Sequence, residues 1–547
     1  MTRLNHALRD NLLIAAFSSA AIALIFFSTP FLKIPYDMWE HLIRIASFHD
    51  EGKSFIFWPE DRVTAMYHWH LAWAYFFRLL PVNDVFIWAR IIHVSQSILS
   101  YCCVLYFCAV FFRLALPHIG NAERQLYVLW SVFLWFIGNG TFSMAHQQAW
   151  ILWYSVSYQA MTLPLYWYIT ALSMRMLYDG AAGRRWKIAA LSQIAVLFPL
   201  IMVLHPSEGV YFFLAVLILS AFRRHFIVET LAGRWWIVAG ALFLLAAGGV
   251  VLIATKIVLL PKFISSLRAP AEIFSYFLSS MKECESLNKF PSAFSEIAMI
   301  SLAAGLLCLL MRRHRQGIPA ESVFQSQWVS SIVFFVIPLV PLTFGIAGVF
   351  THPLVVSRFV FASAWFVLLP VCIDSVLPHA SRTWRYSLLS ALLIGIPPAA
   401  VAISHSFYPF EVIENRLRCP VEMTGHFSSG ALFGNVRSLA NSFGERGRFH
   451  NGIQYGEEDI AALRRIIDKH DIKKEGKTNV FYIRGDMAVI VRAVFRKYVY
   501  TRRTSMYEKS SFFERDESGR YNLIDVELPG GFPKHPEIFR CFDLEKK

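Results

Sequence analysis

Residues 65–81 read AMYHWHLAWAYFFRLLP, and the side of the membrane given to every later loop depends on how this stretch is read. It is apolar enough to suggest a spanning helix. Counting it as one, however, would place the RRHRQ segment at 312–316 outside the cell. Read instead as an interfacial or re-entrant helix, with Trp, Tyr and His at headgroup level, it brings the remaining loops into order. With a cytoplasmic N-terminus, the inner segments are RLALPHIGNAER, RMLYDGAAGRRWK, RRHFIVETLAGR, RRHRQ and SRTWR, all rich in Lys and Arg. The short outer segments NGTFSMAHQQ, HPSEG and FTHPLV carry neither residue. Cytoplasmic loops hold the excess of basic residues in membrane proteins.

The chain has 547 residues, of which 56% are hydrophobic, 16% aromatic and only 16% charged; its mean hydropathy is +0.45. Soluble domains are roughly a quarter charged. Apolar runs centre on 12–31, 86–112, 126–140, 150–174, 188–204, 209–222, 235–260, 296–311, 328–350, 355–377 and 386–405. A helix crosses a bilayer in about 20 residues, so we expect a polytopic helical membrane protein with about 11 transmembrane helices. The first run follows the short basic segment MTRLNHALRD and offers no small-residue cleavage site, which reads as a retained first helix. The net charge of +14 lies mostly in the membrane part: 28 Lys/Arg against 18 Asp/Glu up to residue 405, then 24 against 20. It reports membrane orientation, and no nucleic-acid partner is expected.

From residue 406 the texture becomes mixed in charge and glycine-rich. GEEDIAALRRIIDKHDIKK has helical periodicity, while TNVFYI and YVYT read as strands. We expect a membrane module over 1–405 and an extracytoplasmic α+β domain over 406–547. Cys102, Cys103, Cys108, Cys308 and Cys372 fall in the expected spans as packing residues. Cys284, Cys419 and Cys541 fall outside, where disulfides form; Cys419 and Cys541, near the ends of the domain, are the favoured pair of three pairings.

The first outer loop, about 32–85, holds seven of the 18 acids of the membrane part. Asp37 follows the first span, then come MWEHLIRIASFHDEG as an amphipathic helix, LAWAYFFRLLPVND as a second one and VFIWARIIHVSQSIL as the opening of the next span. Later, THPLVVSRFVFASAWFVLLP ends in an apolar helix preceded by Arg358. In this order the motifs resemble the GT-C superfamily of integral-membrane glycosyltransferases. The proline pair common in that family before the second interfacial helix is replaced here by AMYHWHL. The resemblance implies a polyprenyl-phosphate-sugar donor lipid, a glycan, lipid or protein acceptor, and residence in a bacterial inner membrane in cell envelope biogenesis. It also implies an acid just beyond the first span and a surface-lying helix after it.

The chemistry asks for the same groups. Sugar transfer from a lipid phosphate needs a base for the acceptor hydroxyl and a positive charge, or a divalent cation, at the leaving phosphate. Asp37 is placed for the base, and it equally suits the cap of a helix starting at Met38. Glu40 reads as a site acid or as solvated surface, and Glu60 and Asp61 in WPEDR as site acids or a loop charge pair. Arg358 is placed for the phosphate or for snorkelling to headgroups, with Arg90 and Lys256 as weaker candidates. His205 and Glu208 in LHPSEG lie at the same expected level. His68 and His70, two apart, would face different sides of a helix, so they are read as separate interfacial or substrate contacts. A transporter or flippase would carry ionisable groups near the midplane on broken helices. An O-antigen polymerase or ligase would place its main loop late in the chain.

Labelling of single cysteines should find positions near Gly180 and Arg313 reactive only from the cytoplasm, and positions near Gly52 and Gly485 only from outside. Reactivity of position 485 from the cytoplasm would overturn the helix count.

Overall fold

The computed structural model describes residues 12–28, 36–51, 67–138, 156–223, 274–282 except 276, 296–312, 318–350, 356, 358–376, 383–384, 387, 512–515 and 521–524. The helices are α1 (Leu12–Ser28), α2 (Tyr36–Glu51), α3 (Tyr67–Arg78), α4 (Val85–Ala115), α5 (Asn121–Gly138), α6 (Gln159–Tyr178), α7 (Arg184–Leu204) and α8 (Pro206–Phe222). They continue with α9 (Glu296–Arg312), α10 (Ile318–Leu339), α11 (Pro341–Phe350), a 3-10 helix (Arg358–Ala362) and α12 (Trp365–Val376). A two-stranded antiparallel hairpin, β1 (Phe512–Arg515) and β2 (Tyr521–Ile524), pairs Phe512 with Ile524 and Arg515 with Tyr521. The sequence pattern missed this hairpin. The helix expected over 456–474, the strands expected over 478–483 and 498–501, the span at 235–260, the span at 386–405 apart from residue 387, and Cys284, Cys419 and Cys541 lie outside the described residues.

The bundle is built on α4 against α6, with α8 and α10 on α6, and α12 between α5 and α9. Its centre is aromatic: Phe107 packs on Trp167 at 4.7 Å, and Trp167 on Phe366 at 5.2 Å. Cys103, Cys108, Cys308 and Cys372 are buried, as packing residues should be, while Cys102 is exposed. The outside is apolar as well. On α7, Ile188, Leu191 and Val196 are exposed, and on α8 Val210, Phe213 and Leu217. A helix facing water would turn those residues inward. Val85–Ala115 and Arg184–Leu204 are each long and apolar enough to cross a bilayer. This is a helical membrane protein.

Two expected spans differ from the continuous helices read from sequence. The run at 328–350 is broken: residues 322–338 and 341–348 meet at 82°. Pro338 and Pro341 bracket the break, and a proline supplies no N–H to the preceding turn. The Thr343 hydroxyl lies within hydrogen-bond reach of the Val336, Ile337 and Val340 carbonyls at 3.1, 3.1 and 3.0 Å. The run at 355–377 holds the 3-10 helix and the 12-residue α12, joined through Ser363 and Ala364. Among the described residues two helices, or three with the bent pair as one span, are long and apolar enough to cross a bilayer. The count of about eleven remains an expectation.

The stretch at 65–81 forms a 12-residue helix, α3. At 1.5 Å per residue it is about 18 Å long, too short for a hydrocarbon core of about 30 Å. It packs on α2. Within the protein every residue of α2 from 41 to 48 is buried, including His41, Arg44 and Ser47. The reason is coverage by α3 and the start of α4, together with Tyr158.

Aromatic contacts and one arginine lock this corner. Phe77 stacks on Trp88 at 4.8 Å, and His49 packs on the same indole at 4.8 Å. Trp88 Nε1 donates to the Val82 carbonyl at 2.9 Å, while the Asp84 carboxylate caps α4 by accepting from Phe86 N at 2.7 Å. Arg78 Nε and Nη2 donate to the His49 and Phe48 carbonyls near the end of α2, at 2.8 and 2.6 Å. A cation there suits the negative end of a helix. Arg78→Ala should therefore destabilise the folded protein by about 1–3 kcal/mol, read as a lower midpoint in thermal unfolding of the detergent-solubilised chain. Arg78→Lys should recover part of the loss.

Candidate active site

The sequence LHPSEG breaks what would otherwise be one helix. Pro206 cannot continue α7 and pushes the residue before it to extended geometry. His205 accordingly has φ −158° and ψ 99°, and its N–H still donates to the Ile201 carbonyl at 2.7 Å. Proline then occupies the first turn of α8, where its missing N–H costs nothing, and Glu208 falls in the same turn. The bend is tight: a Cβ on Gly209 would run into the Met202 thioether.

This turn buries an imidazole beside a carboxylate, with His205 2% and Glu208 3% exposed. His205 Nδ1 pairs with Glu208 Oε2, and His205 Nε2 lies 3.3 Å from Gln159 Nε2. In the tautomer with its proton on Nδ1, His205 donates to Glu208 and the Nε2 lone pair accepts from the Gln159 amide. Gln159 is the first residue of α6, and the turn before it is tied by Ala160 N donating to Ser157 Oγ at 3.2 Å.

A second buried pair faces the first. His41 Nδ1 and His70 Nε2 are 2.9 Å apart, their rings stacked at 5.1 Å, with Trp69 edge-on to both. One of the two nitrogens must donate and the other accept. Tyr158 joins the pairs, packing on His41 at 5.1 Å and on His205 at 4.9 Å. Burial first, then the charges of Arg44 and Arg358, hold His41 down to about 3 from 6.5, so it is neutral near pH 7. Arg358 opens the 3-10 helix, where its charge acts on both His41 and Tyr211. The adjoining Phe359 packs on the Tyr211 ring at 4.7 Å, and Tyr211 lies one turn after Glu208 in α8. The opposite end of the bundle is the basic one: Arg113 and Arg175 both pair with Asp179 at 3.3 Å.

Of the candidates named from sequence, His70, His205, Glu208 and Arg358 come together here. His68 is exposed, on a different face of α3 from buried His70. Arg90 is partly buried near the start of α4. Asp37 and Glu40 fall in α2, Asp37 one turn before His41, and their side chains lie outside the described residues, as do Glu60, Asp61 and Lys256. The sequence reading missed His41, Arg44, Tyr158 and Gln159. For His41 and Arg44 a signal existed, since they follow Asp37 at helical spacings of four and seven. Among the described residues no three His, Cys, Asp or Glu side chains converge as a metal would require.

No family model matches the chain, and no curated relative does. Among solved structures, the crystal structure of ArnT from Cupriavidus metallidurans bound to undecaprenyl phosphate is similar, at 12% identity and a TM-score of 0.44. The match covers 90% of this chain and 86% of that one. At that score the likeness is too loose to place side chains, and nothing about the site rests on it. The class that fold and site define is a helical membrane protein with buried ionisable pairs gathered at one end of its bundle.

The neutral state of His41 has a pH consequence. As pH falls below 6.5 an unfolded chain binds a proton at this position, and the folded one does not until about 3. Stability present above pH 6.5 is therefore lost between about 6.5 and 3, by up to about 1.4 kcal/mol per pH unit. Thermal unfolding at pH 7.5 and 5 should show a drop for the wild type that is smaller in His41→Gln.

Proposed function

We propose that the chain is a membrane glycosyltransferase that moves a sugar from a polyprenyl-phosphate-linked donor to an extracytoplasmic acceptor. The observation that carries this reading is the gathering of two buried hydrogen-bonded pairs with Arg358 at the end of the bundle away from Arg113 and Arg175. A lipid donor keeps its phosphate at headgroup level, and in this reading the short helices α2 and α3 pack there. The order of motifs resembling the GT-C superfamily points the same way.

In this reading Arg358 pairs with the donor phosphate. A guanidinium can hold two phosphate oxygens at once and stabilise the charge that develops there as the sugar leaves. Asp37, one turn before His41, meets the acceptor hydroxyl. The acceptor oxygen forms a bond to the anomeric carbon, the bond from that carbon to the phosphate oxygen breaks, and its electron pair stays on the phosphate. Burial around His41, Trp69 and Tyr158 excludes water that would otherwise compete as acceptor. The inner-membrane location, with a cytoplasmic N-terminus and an outer C-terminal domain, belongs to the same reading. A broken helix is a feature of transporters, but residues 336–343 at the break between α10 and α11 contain no ionisable side chain.

Mass spectrometry of envelope glycans from cells with and without the chain should reveal a missing sugar substituent; identical glycans would count against transfer. Asp37→Asn should lower transfer by roughly 10²–10⁴-fold while leaving the folded yield unchanged. Arg358→Ala should lose most affinity for undecaprenyl phosphate and Arg358→Lys only part of it. Equal affinity in all three proteins would remove Arg358 from the phosphate site.

A further inference from the structure

Three helix ends meet around Asp179. Arg113 from the last turn of α4 and Arg175 from the last turn of α6 both reach Asp179 Oδ2 at 3.3 Å, while Asp179 Oδ1 accepts from Ala181 N at 3.1 Å. One carboxylate thus faces two guanidiniums, and about half of the Arg113 side chain is exposed. The Arg175 guanidinium lies over the Trp186 ring at 4.0 Å, which ties the first turn of α7 to the same place. The other acids at this end, Glu123 and Asp374, are buried, and Asp374 faces His118 at 3.4 Å.

The first turn of α7 carries the wrong charge for its position. A helix N-terminus favours anions and disfavours cations. This one holds Arg184, Arg185 and Lys187, with no acid in the turn and no side-chain hydrogen bond from the Gly183 cap. Arg184 and Arg185 are exposed and have no partner among the described residues. Ile188 and Leu191 follow Arg184 at spacings of four and seven, which puts them on its face of the helix, and both are exposed. The 21 residues of α7, at 1.5 Å each, span about 32 Å, enough to cross a hydrocarbon core of about 30 Å. A spanning α7 sets its first turn at one headgroup layer and runs the apolar stripe beside the acyl chains.

We propose that the junction of α4, α6 and α7 is a binding site for an anionic phospholipid. The headgroup phosphate lies against Arg184 and Arg185, where the N–H groups that open α7 add to the attraction. Arg113 and Arg175, with one carboxylate between them, supply a second positive field at the same level. Trp186 sits where indoles favour the membrane interface, and one acyl chain follows Ile188 and Leu191. Charge complementarity selects the headgroup. The order of cation, indole and apolar stripe along one helix selects an amphiphile over a free anion. The site is independent of the transfer reading and lies at the other end of the bundle.

The test uses the full chain in detergent, incubated with phosphatidylglycerol or phosphatidylcholine of matched acyl chains and followed by native mass spectrometry. The wild type should retain phosphatidylglycerol about tenfold or more tightly than phosphatidylcholine. Arg184→Gln combined with Arg185→Gln should lose about 30-fold in affinity for phosphatidylglycerol, and the corresponding pair of Lys substitutions should keep most of it. If the double Gln variant does not fold, either single Gln substitution serves, with an expected loss of about fivefold. Lys282→Gln removes an exposed cation from the separate helical segment 277–282 and should change nothing. Equal retention of the two lipids by the wild type, or unchanged retention in the Gln variants, overturns the site. Displacement of the lipid by millimolar inorganic phosphate would make it a free-anion site, and an equal loss in Lys282→Gln would reduce it to bulk charge attraction; either result overturns the proposal.

Discussion

A carboxylate and an imidazole buried together at the break between two apolar helices impose a strict condition on everything near them. Each is nearly removed from solvent, so neither can carry an uncompensated charge without a penalty of several kcal/mol. Glu208 and His205 answer for each other, and Gln159 answers for the remaining nitrogen. That requirement brings the start of α6 to the α7–α8 turn. Tyr158, the residue before Gln159, is then held between His205 and His41. The site is organised from this turn outward.

The second constraint is the burial of α2. A helix with His41, Arg44 and Ser47 on it would present them to solvent if nothing covered it. Here α3 covers it, held by the Arg78 bonds to the α2 carbonyls and by the Phe77, Trp88 and His49 stack. The covered helix forces His41 into the neutral state, and among the described residues it sets the His70 ring at hydrogen-bond distance from it. Arg358 reaches the same place from the far part of the chain because Phe359 is packed on Tyr211 in α8.

Much of the fold was legible because local rules decide it. The spans at 86–112, 188–204 and 209–222 agree with α4, α7 and α8 to within a few residues, since long apolar runs, Asp84 as a cap and Pro206 as a break act on their own neighbours. The short length of α3 was also legible, through the loop charges that its exclusion from the spans brings into register. The 82° break at Val340 was signalled by Pro338 and Pro341, but hydropathy alone ran across it. The hairpin at 512–524 gave no comparable signal, because strands of four residues carry too little periodicity to stand out.

For the site, sequence determined which groups are ionisable and which sit near helix ends, and so it named His70, His205, Glu208 and Arg358. It could not determine that His41 meets His70, since the two nitrogens are brought to 2.9 Å by packing between separate helices 29 residues apart. Nor could it assign Tyr158 and Gln159, which read as the unremarkable start of an apolar helix. Burial and proximity across the chain are what turn an imidazole into a partner or a base. Those depend on which helix faces which, and only the tertiary structure decides that.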